Sequence, residues 1–163
     1  MPVDINLTEH QLQELLRLYE SPLYVYDFDA IKQNARKFID IFSKHLKGFK
    51  QYFAVKALPN IEILKILYSE GMGFDCSSVF EMSLVDSVLD YFDGQHKLRA
   101  DKYGDILYTS NYTSTFDLKC ALRYGSIINL DDIDGLENMM IGINSSASLT
   151  VPNLISFRLN PMV

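Results

Sequence analysis

The sequence predicts an α/β fold, specifically the first part of an eight-stranded β/α barrel, and three observations support this. Short apolar, β-branched runs alternate with segments of helical apolar spacing, which is typical of a parallel sheet. Glycines or polar stretches separate these segments. The first strand is followed by Leu58, Pro59 and Asn60, whereas an open doubly wound sheet usually has a glycine-rich phosphate loop there. An open five-stranded sheet is the alternative, because a complete barrel needs about 250 residues.

Composition and charge narrow the class of protein. The chain has 163 residues, of which 48% are hydrophobic and 22% charged, as in an ordinary globular domain. A net charge of −6 without a basic cluster argues against nucleic-acid binding. Cys76 and Cys120 form neither a disulfide framework nor a metal-ligand spacing. No apolar run would span a membrane, and the N-terminus lacks a signal-peptide pattern, so we expect a cytoplasmic protein.

The first 48 residues predict two helices and a short strand. Apolar positions repeat with helical spacing over 7–20, with Thr8 as the N-cap, and the Ser21-Pro22 pair ends this helix. Residues 23–26 have a strand signature. Asp27 then caps a second amphipathic helix, which closes near Gly48.

The rest of the chain repeats a strand and a helix. The polar stretches 92–105 and 142–150 predict surface loops. In order, we expect strand 50–57, helix 60–70, strand 73–78, helix 79–91, strand 106–110, helix 114–124, strand 126–131, helix 132–141 and strand 154–159.

Lys56 is the single charge within the run 51–57. Its ammonium either extends into water while its stem packs, or stays in an apolar pocket to form an imine with a carbonyl cofactor. Polar side chains also end the other predicted strands, where sites collect in parallel α/β folds. They are Lys56, Asp75, Ser77, Ser78, Ser110, Asn111, Asp131, Arg158 and Asn160.

The positions of three charged residues, Asp75, Arg158 and Glu81, suggest a place in the site. Asp75 lies inside an apolar strand, so we expect it to pair with Lys56 on the neighbouring strand. Arg158 is likewise a charge within an apolar strand. A pocket formed by Lys56, Asp75 and Arg158 would suit an anionic cofactor, because it has one positive charge in excess. Glu81 either belongs to that site or completes a capping box with Ser78. Ser78 and Asp131 could also simply cap the following helices.

Five segments resemble the barrel-type pyridoxal-phosphate decarboxylases. Residues 53–60 (FAVKALPN) resemble the cofactor-lysine motif, and 73–78 (GFDCSS), with Glu81 three residues later, resemble the second motif. Residues 108–111 (YTSN), 127–132 (IINLDD) and 156–161 (SFRLNP) follow in the family's order. The resemblance covers residues 21–161 and is closest to the diaminopimelate decarboxylases, because ornithine decarboxylases usually have Asn-Pro at the position of Ser110-Asn111.

The resemblance implies a set of roles. Lys56 would hold pyridoxal phosphate through an imine, Asp75 and Glu81 would lie near Lys56, and Arg158 would lie near the cofactor ring. Residues 1–26 would belong to a separate β domain, and 27–163 to the first part of the barrel. The complete enzyme would be a homodimer acting on a small amino-acid substrate.

The implied reaction is decarboxylation of meso-diaminopimelate to L-lysine. An ornithine, arginine or carboxynorspermidine decarboxylase and a non-catalytic pyridoxal-phosphate-binding barrel are the alternatives. In the family, the phosphate loop, the acidic partner of the ring nitrogen and the cysteine proton donor lie further along the chain, and neither Cys76 nor Cys120 matches that cysteine. We therefore expect a truncated enzyme that is inactive alone.

Overall fold

The computed structural model describes residues 7–93, 104–152 and 154–159. The described elements alternate as predicted after the second helix. In order they are α1 Glu9–Leu18, α2 Phe28–Ser43, β1 Tyr52–Ala54, α3 Ile61–Ser69, β2 Gly73–Cys76, α4 Val79–Asp93, β3 Ile106–Thr109, α5 Thr115–Arg123, β4 Ile127–Leu130, α6 Ile133–Asn144 and β5 Ile155–Phe157.

The five strands form one parallel sheet in the order β1-β2-β3-β4-β5. Each strand from β2 to β5 therefore pairs with the strand before it in sequence, and α3, α4, α5 and α6 form the crossovers. Since such crossovers are right-handed, an unreversed strand order places all four helices on one side. This singly wound arrangement is that of a β/α barrel sector, whereas a doubly wound sheet reverses its strand order. The predicted fold class is confirmed.

The two faces of the sheet differ in burial. Alternate side chains, including Phe74, Tyr108 and Ile128, are at most 2% exposed and form the core with the helices. The opposite side, which we call the inner face, carries half-buried residues such as Ala54, Asp75 and Asn129. Strand pairing aligns Ala54 with Asp75, and Asp75 with Leu107. Asp75, the candidate site residue that lies within a strand, therefore lies on the inner face.

The amino ends of β1–β3 are tied by polar contacts. Lys50 Nζ lies 2.6 Å from Asp105 Oδ1, and the Tyr68 hydroxyl donates to Asp105 Oδ2 at 3.2 Å. The Tyr52 hydroxyl donates to the Gly104 carbonyl at 2.7 Å. The Tyr52 ring also lies against Gly73, where a Cβ atom would be 2.7 Å from Tyr52 Cε1. These contacts stabilise the amino-terminal edge of the sheet. The polar candidate site residues lie at the opposite, carboxyl-terminal edge.

The N-terminal segment differs in part from the prediction. Thr8 forms a capping box with Gln11, and Asp27 Oδ1 accepts the Ala30 N–H at 2.9 Å, so both predicted N-caps are confirmed. Residues 23–26 form no strand, and the prediction of one there is wrong. Tyr24 is 92% exposed, and within the described ranges no strand lies beside it to bury its ring. The assignment of residues 1–26 to a separate β domain stays a prediction.

Several element ends also differ from the prediction. The strand predicted over 50–57 is β1 Tyr52–Ala54 followed by one 3-10 turn, Val55–Ala57. The last strand is shortened to Ile155–Phe157, so Arg158 follows it rather than lying inside it. Helix α6 continues to Asn144, three residues into the predicted loop. Of the predicted loop 92–105, residues 94–103 lie outside the described residues.

Candidate active site

Lys56 lies in the 3-10 turn that follows β1, at the carboxyl edge of the sheet. The turn places Val55 in the core at 0% exposure and leaves Lys56 exposed. Asn60 then starts α3, because its Oδ1 accepts the N–H groups of Glu62 and Ile63 at 3.0 and 3.2 Å. Lys56 is therefore held between a strand and a capped helix, with an amine that a ligand can reach.

Asp75 lies on the inner face of β2, in register with Ala54 two residues before Lys56. Within the described ranges, no ion pair shorter than 4.0 Å joins Asp75 to Lys56, so the predicted pair is not formed. Asp75 Oδ1 is buried and has no hydrogen-bond partner in this part of the chain. Because a buried acceptor without a partner is costly, this oxygen points to a ligand group as its partner.

Glu81 lies in the first turn of α4 and is 9% exposed. Its Oε2 accepts the Ser77 N–H at 2.7 Å, and its Oε1 accepts the Ser77 hydroxyl at 3.0 Å. Ser78 Oγ accepts the Glu81 N–H at 3.2 Å, which is one half of the predicted capping box. In the other half, the Glu81 side chain accepts the backbone N–H of Ser77 rather than that of Ser78. Glu81 thus fixes the turn that follows Asp75.

Arg158 directly follows β5 and is exposed. The backbone N–H of Arg158 donates to the Leu130 carbonyl at 2.7 Å, which continues the pairing with β4. Its Nη1 donates to Asn111 Oδ1 at 2.7 Å. Asn111 follows β3, so this contact joins the ends of two strands that are separated by β4.

The sequence did not single out a polar row that lies just below this contact. Thr109, Asn129 and Ser156 occupy one register level on β3, β4 and β5. Asn129 Nδ2 donates to Thr109 Oγ1 at 3.4 Å, and Asn129 Oδ1 accepts the Ser156 hydroxyl at 2.8 Å. The signal was available, because these residues precede Asn111, Asp131 and Arg158 by two positions and two-residue spacing keeps one face of a strand.

The other strand-end residues have smaller or different roles. Ser78 caps α4 as predicted. Asp131 does not cap α6, because Asp132 Oδ1 accepts the Gly135 N–H at 2.6 Å instead. The Ser110 carbonyl accepts the Thr113 hydroxyl at 3.4 Å. Asn160 lies outside the described residues.

Cys76 lies beside Asp75 but faces the core at 0% exposure. Burial, and then the negative charges of Glu81 and Asp75, raise the pKa of its thiol, which stays protonated at neutral pH. In the described part of the chain, no group of three or more His, Cys, Asp or Glu side chains could hold a metal ion. A search of the same residues finds no helix with the length and apolar character to cross a membrane.

Comparison with known proteins shows the family. Residues 29–147 match the model of the pyridoxal-dependent decarboxylases, pyridoxal binding domain. This match covers most of the chain, which therefore belongs to that family.

Named relatives share this region. Protein TabA of Pseudomonas amygdali pv. tabaci is 36% identical over 92% of the chain, and diaminopimelate decarboxylase of Methanothermobacter thermautotrophicus is 32% identical over 92%. The chain spans 30% and 31% of these relatives, respectively.

Solved structures share the fold. Diaminopimelate decarboxylase of Helicobacter pylori, complexed with L-lysine, is 28% identical with a TM-score of 0.63, over 82% of this chain and 31% of that one. Lysine/ornithine decarboxylase of Vibrio vulnificus, complexed with putrescine, is 24% identical with a TM-score of 0.66, over 83% and 33%. The second likeness concerns the fold alone.

The residues present fit the family's cofactor. Lys56 offers an exposed amine that can bond to an aldehyde. Asp75 offers a buried oxygen that has no hydrogen-bond partner among the described residues, and Arg158 offers a cation for an anionic group. Amine, acceptor and cation all lie toward the carboxyl edge of the sheet, which is where ligands bind in parallel α/β folds.

Proposed function

We propose that the protein decarboxylates meso-diaminopimelate to L-lysine, with pyridoxal phosphate bound at Lys56. The observation that carries the proposal is the placement of Lys56 in the turn after β1. The neighbouring strand carries Asp75, one of whose oxygens has no hydrogen-bond partner in the described part of the chain. Family membership supports the decarboxylase class. Relatives named diaminopimelate decarboxylase, together with the Helicobacter pylori structure that contains L-lysine, support the substrate.

Each side chain has a defined task in this proposal. Pyridoxal phosphate, when bound, delocalises the electron pair that carbon dioxide leaves behind. Lys56 would hold the cofactor by bonding its aldehyde. Asp75 accepts a hydrogen bond on its buried oxygen, and Arg158 provides positive charge. Glu81 keeps the turn after β2 closed, through its two contacts with Ser77.

The proposal is tested on the protein made from its complete coding sequence. Carbon dioxide release is measured from diaminopimelate, ornithine, lysine and arginine, and borohydride reduction is followed by peptide mass spectrometry. We expect release from diaminopimelate and cofactor mass on the peptide that contains Lys56. Lys56→Ala should remove the covalent attachment and lower turnover by orders of magnitude. Lys47→Ala, which alters an exposed lysine in the turn after α2, is the matched control.

Other results would change the proposed substrate, the proposed catalytic function or the role of Lys56. Release from ornithine or arginine alone would assign another substrate within the same family. Cofactor attachment without turnover of any amino acid would support a non-catalytic pyridoxal-phosphate-binding protein. Attachment that persists in Lys56→Ala would remove Lys56 from its role.

A cytoplasmic location, expected from the sequence pattern, and a homodimer, implied by the resemblance, are further parts of this proposal. Cell fractionation tests the location. Sedimentation equilibrium of the same protein tests the assembly, and a monomer that retains full activity would contradict it.

A further inference from the structure

The contact between Arg158 and Asn111 combines a cation with a neutral partner. Arg158 Nη1 donates to the amide oxygen of Asn111 at 2.7 Å, which is within the range of a charge-assisted hydrogen bond. Among the described residues, no carboxylate forms an ion pair with Arg158 within 4.0 Å. The guanidinium is therefore oriented by an amide, and no carboxylate in the described ranges compensates its charge.

The polar row of Thr109, Asn129 and Ser156 supports this orientation of the Arg158 guanidinium. Asn129 contacts Thr109 on β3 and Ser156 on β5 through its two amide atoms. Asn111 and Arg158 lie two residues further along these same two strands. Because the row fixes the spacing of β3 and β5, it also fixes the distance over which Asn111 reaches the guanidinium.

An exposed arginine without such a partner would sample many rotamers. Holding a long side chain in one geometry costs conformational entropy, and binding is stronger when that cost is met before the ligand arrives. A carboxylate could hold the guanidinium equally well, but it would cancel the charge that an anionic ligand needs. An asparagine orients Arg158 and leaves its charge available.

We propose that Asn111 is a positioning residue that holds the Arg158 guanidinium, as a free cation, toward the anionic groups of pyridoxal phosphate. This inference rests on the proposed cofactor site and adds a residue to it. Asn111 acts through Arg158. Its removal should therefore matter only while Arg158 is present.

The test is a double-mutant cycle in the protein made from its complete coding sequence. The dissociation constant of pyridoxal phosphate is measured by fluorescence titration for the unaltered protein, Asn111→Ala, Arg158→Ala and the double variant. We expect Asn111→Ala to weaken binding about tenfold, the scale of one charge-assisted hydrogen bond, and to have no further effect in the Arg158→Ala background. Effects that multiply in the double variant would overturn the proposal.

Two more variants separate orientation from charge. Asn111→Asp keeps the acceptor oxygen but adds a negative charge, so we expect it to weaken binding at least as much as Asn111→Ala. Tighter binding in Asn111→Asp would overturn the idea that the charge must stay free. Asn144→Ala, at the exposed end of α6, should leave binding unchanged. Because Asn111 is itself exposed, thermal denaturation midpoints should agree among these variants.

A readout on the cofactor-free protein separates this inference from the proposed function. Phenylglyoxal modifies arginine side chains, and mass spectrometry measures the rate at Arg158. We expect faster modification in Asn111→Ala, because the guanidinium loses its partner, and equal rates would overturn the proposal. If the unaltered protein binds no pyridoxal phosphate, the proposed function fails, and the phenylglyoxal rates still decide whether Asn111 holds Arg158.

Discussion

Asp75 places a buried carboxylate oxygen on the inner face without a partner in the described part of the chain. An unsatisfied buried acceptor costs about 1–3 kcal/mol, and a ligand that donates to it recovers part of that cost. We therefore expect Asp75→Ala to raise the free energy of unfolding of the cofactor-free protein by about 1 kcal/mol, while weakening cofactor binding and activity. Urea denaturation and cofactor titration measure the two effects.

The control for this prediction is Cys76→Ala, which truncates the neighbouring side chain on the core face. It should lower stability, because Cys76 packs at 0% exposure. A loss of stability in cofactor-free Asp75→Ala, with normal kinetics, would instead show that Asp75 is a local structural partner.

Cys76 also predicts a pH dependence of stability. An unfolded thiol has a pKa near 8.5, and burial raises the pKa of Cys76 in the folded protein. The folded state therefore binds the proton more tightly. This contribution is complete below pH ~8.5 and is lost as the pH rises above that value. The free energy of unfolding should fall by up to about 1.4 kcal/mol per pH unit more in the unaltered protein than in Cys76→Ala. Equal slopes above pH 8.5 would contradict the prediction.

At the scale of elements, the sequence predicts where helices and strands lie better than where strands end. Residues 52–55 are apolar, and Lys56 is the single charge of the run 51–57, so the side-chain pattern alone predicts one continuous strand. Pairing with β2 ends at Ala54, opposite Asp75, and the chain then turns. That ending depends on the neighbouring strand, which a local pattern does not contain.

The candidate site was predictable to a similar extent. Lys56, Asp75, Glu81 and Arg158 were identified, and their roles toward the cofactor stay predictions. The contacts of Glu81 with Ser77, and of Arg158 with Asn111, were not foreseen, because they depend on register and on turn geometry rather than on residue type.

Helix α3 gives a prediction for the element that follows Lys56. Asn60 accepts two N–H groups at the start of this helix, so Asn60→Ala should lower the free energy of unfolding by about 1 kcal/mol. Asn60→Asp keeps an acceptor and should lose much less. Urea denaturation of both variants measures the difference, and equal losses would mean that the cap is not the source of the stability.

For the whole molecule, the parallel sheet was predictable because helices alternate with strands, and the strand order follows from the choice of a barrel over a doubly wound sheet. The missing strand at 23–26 could not be recognised. A run of four residues with β propensity becomes a strand only beside another strand, and none lies next to these residues in the described structure.

The open sheet yields a prediction for the 163-residue chain expressed alone. In the described structure, β1 and β5 each pair on one side only, and the inner face is half-buried. Unpaired strand edges and exposed apolar surface promote association. We expect concentration-dependent oligomers in analytical ultracentrifugation, together with strong binding of the dye ANS. A monodisperse monomer that binds no dye would contradict this expectation.

The contact between Tyr52 and Gly73 has an evolutionary consequence. A methyl group at position 73 would lie 2.7 Å from the Tyr52 ring and 2.9 Å from the Asp105 carbonyl. The ring could shrink by substitution, but the backbone carbonyl would still obstruct the methyl group. Two positions 21 residues apart in sequence are thereby coupled. Among descendants of this chain, a larger residue at position 73 should be found only where position 52 has lost its ring and β3 has shifted, so three changes would have to be inherited together.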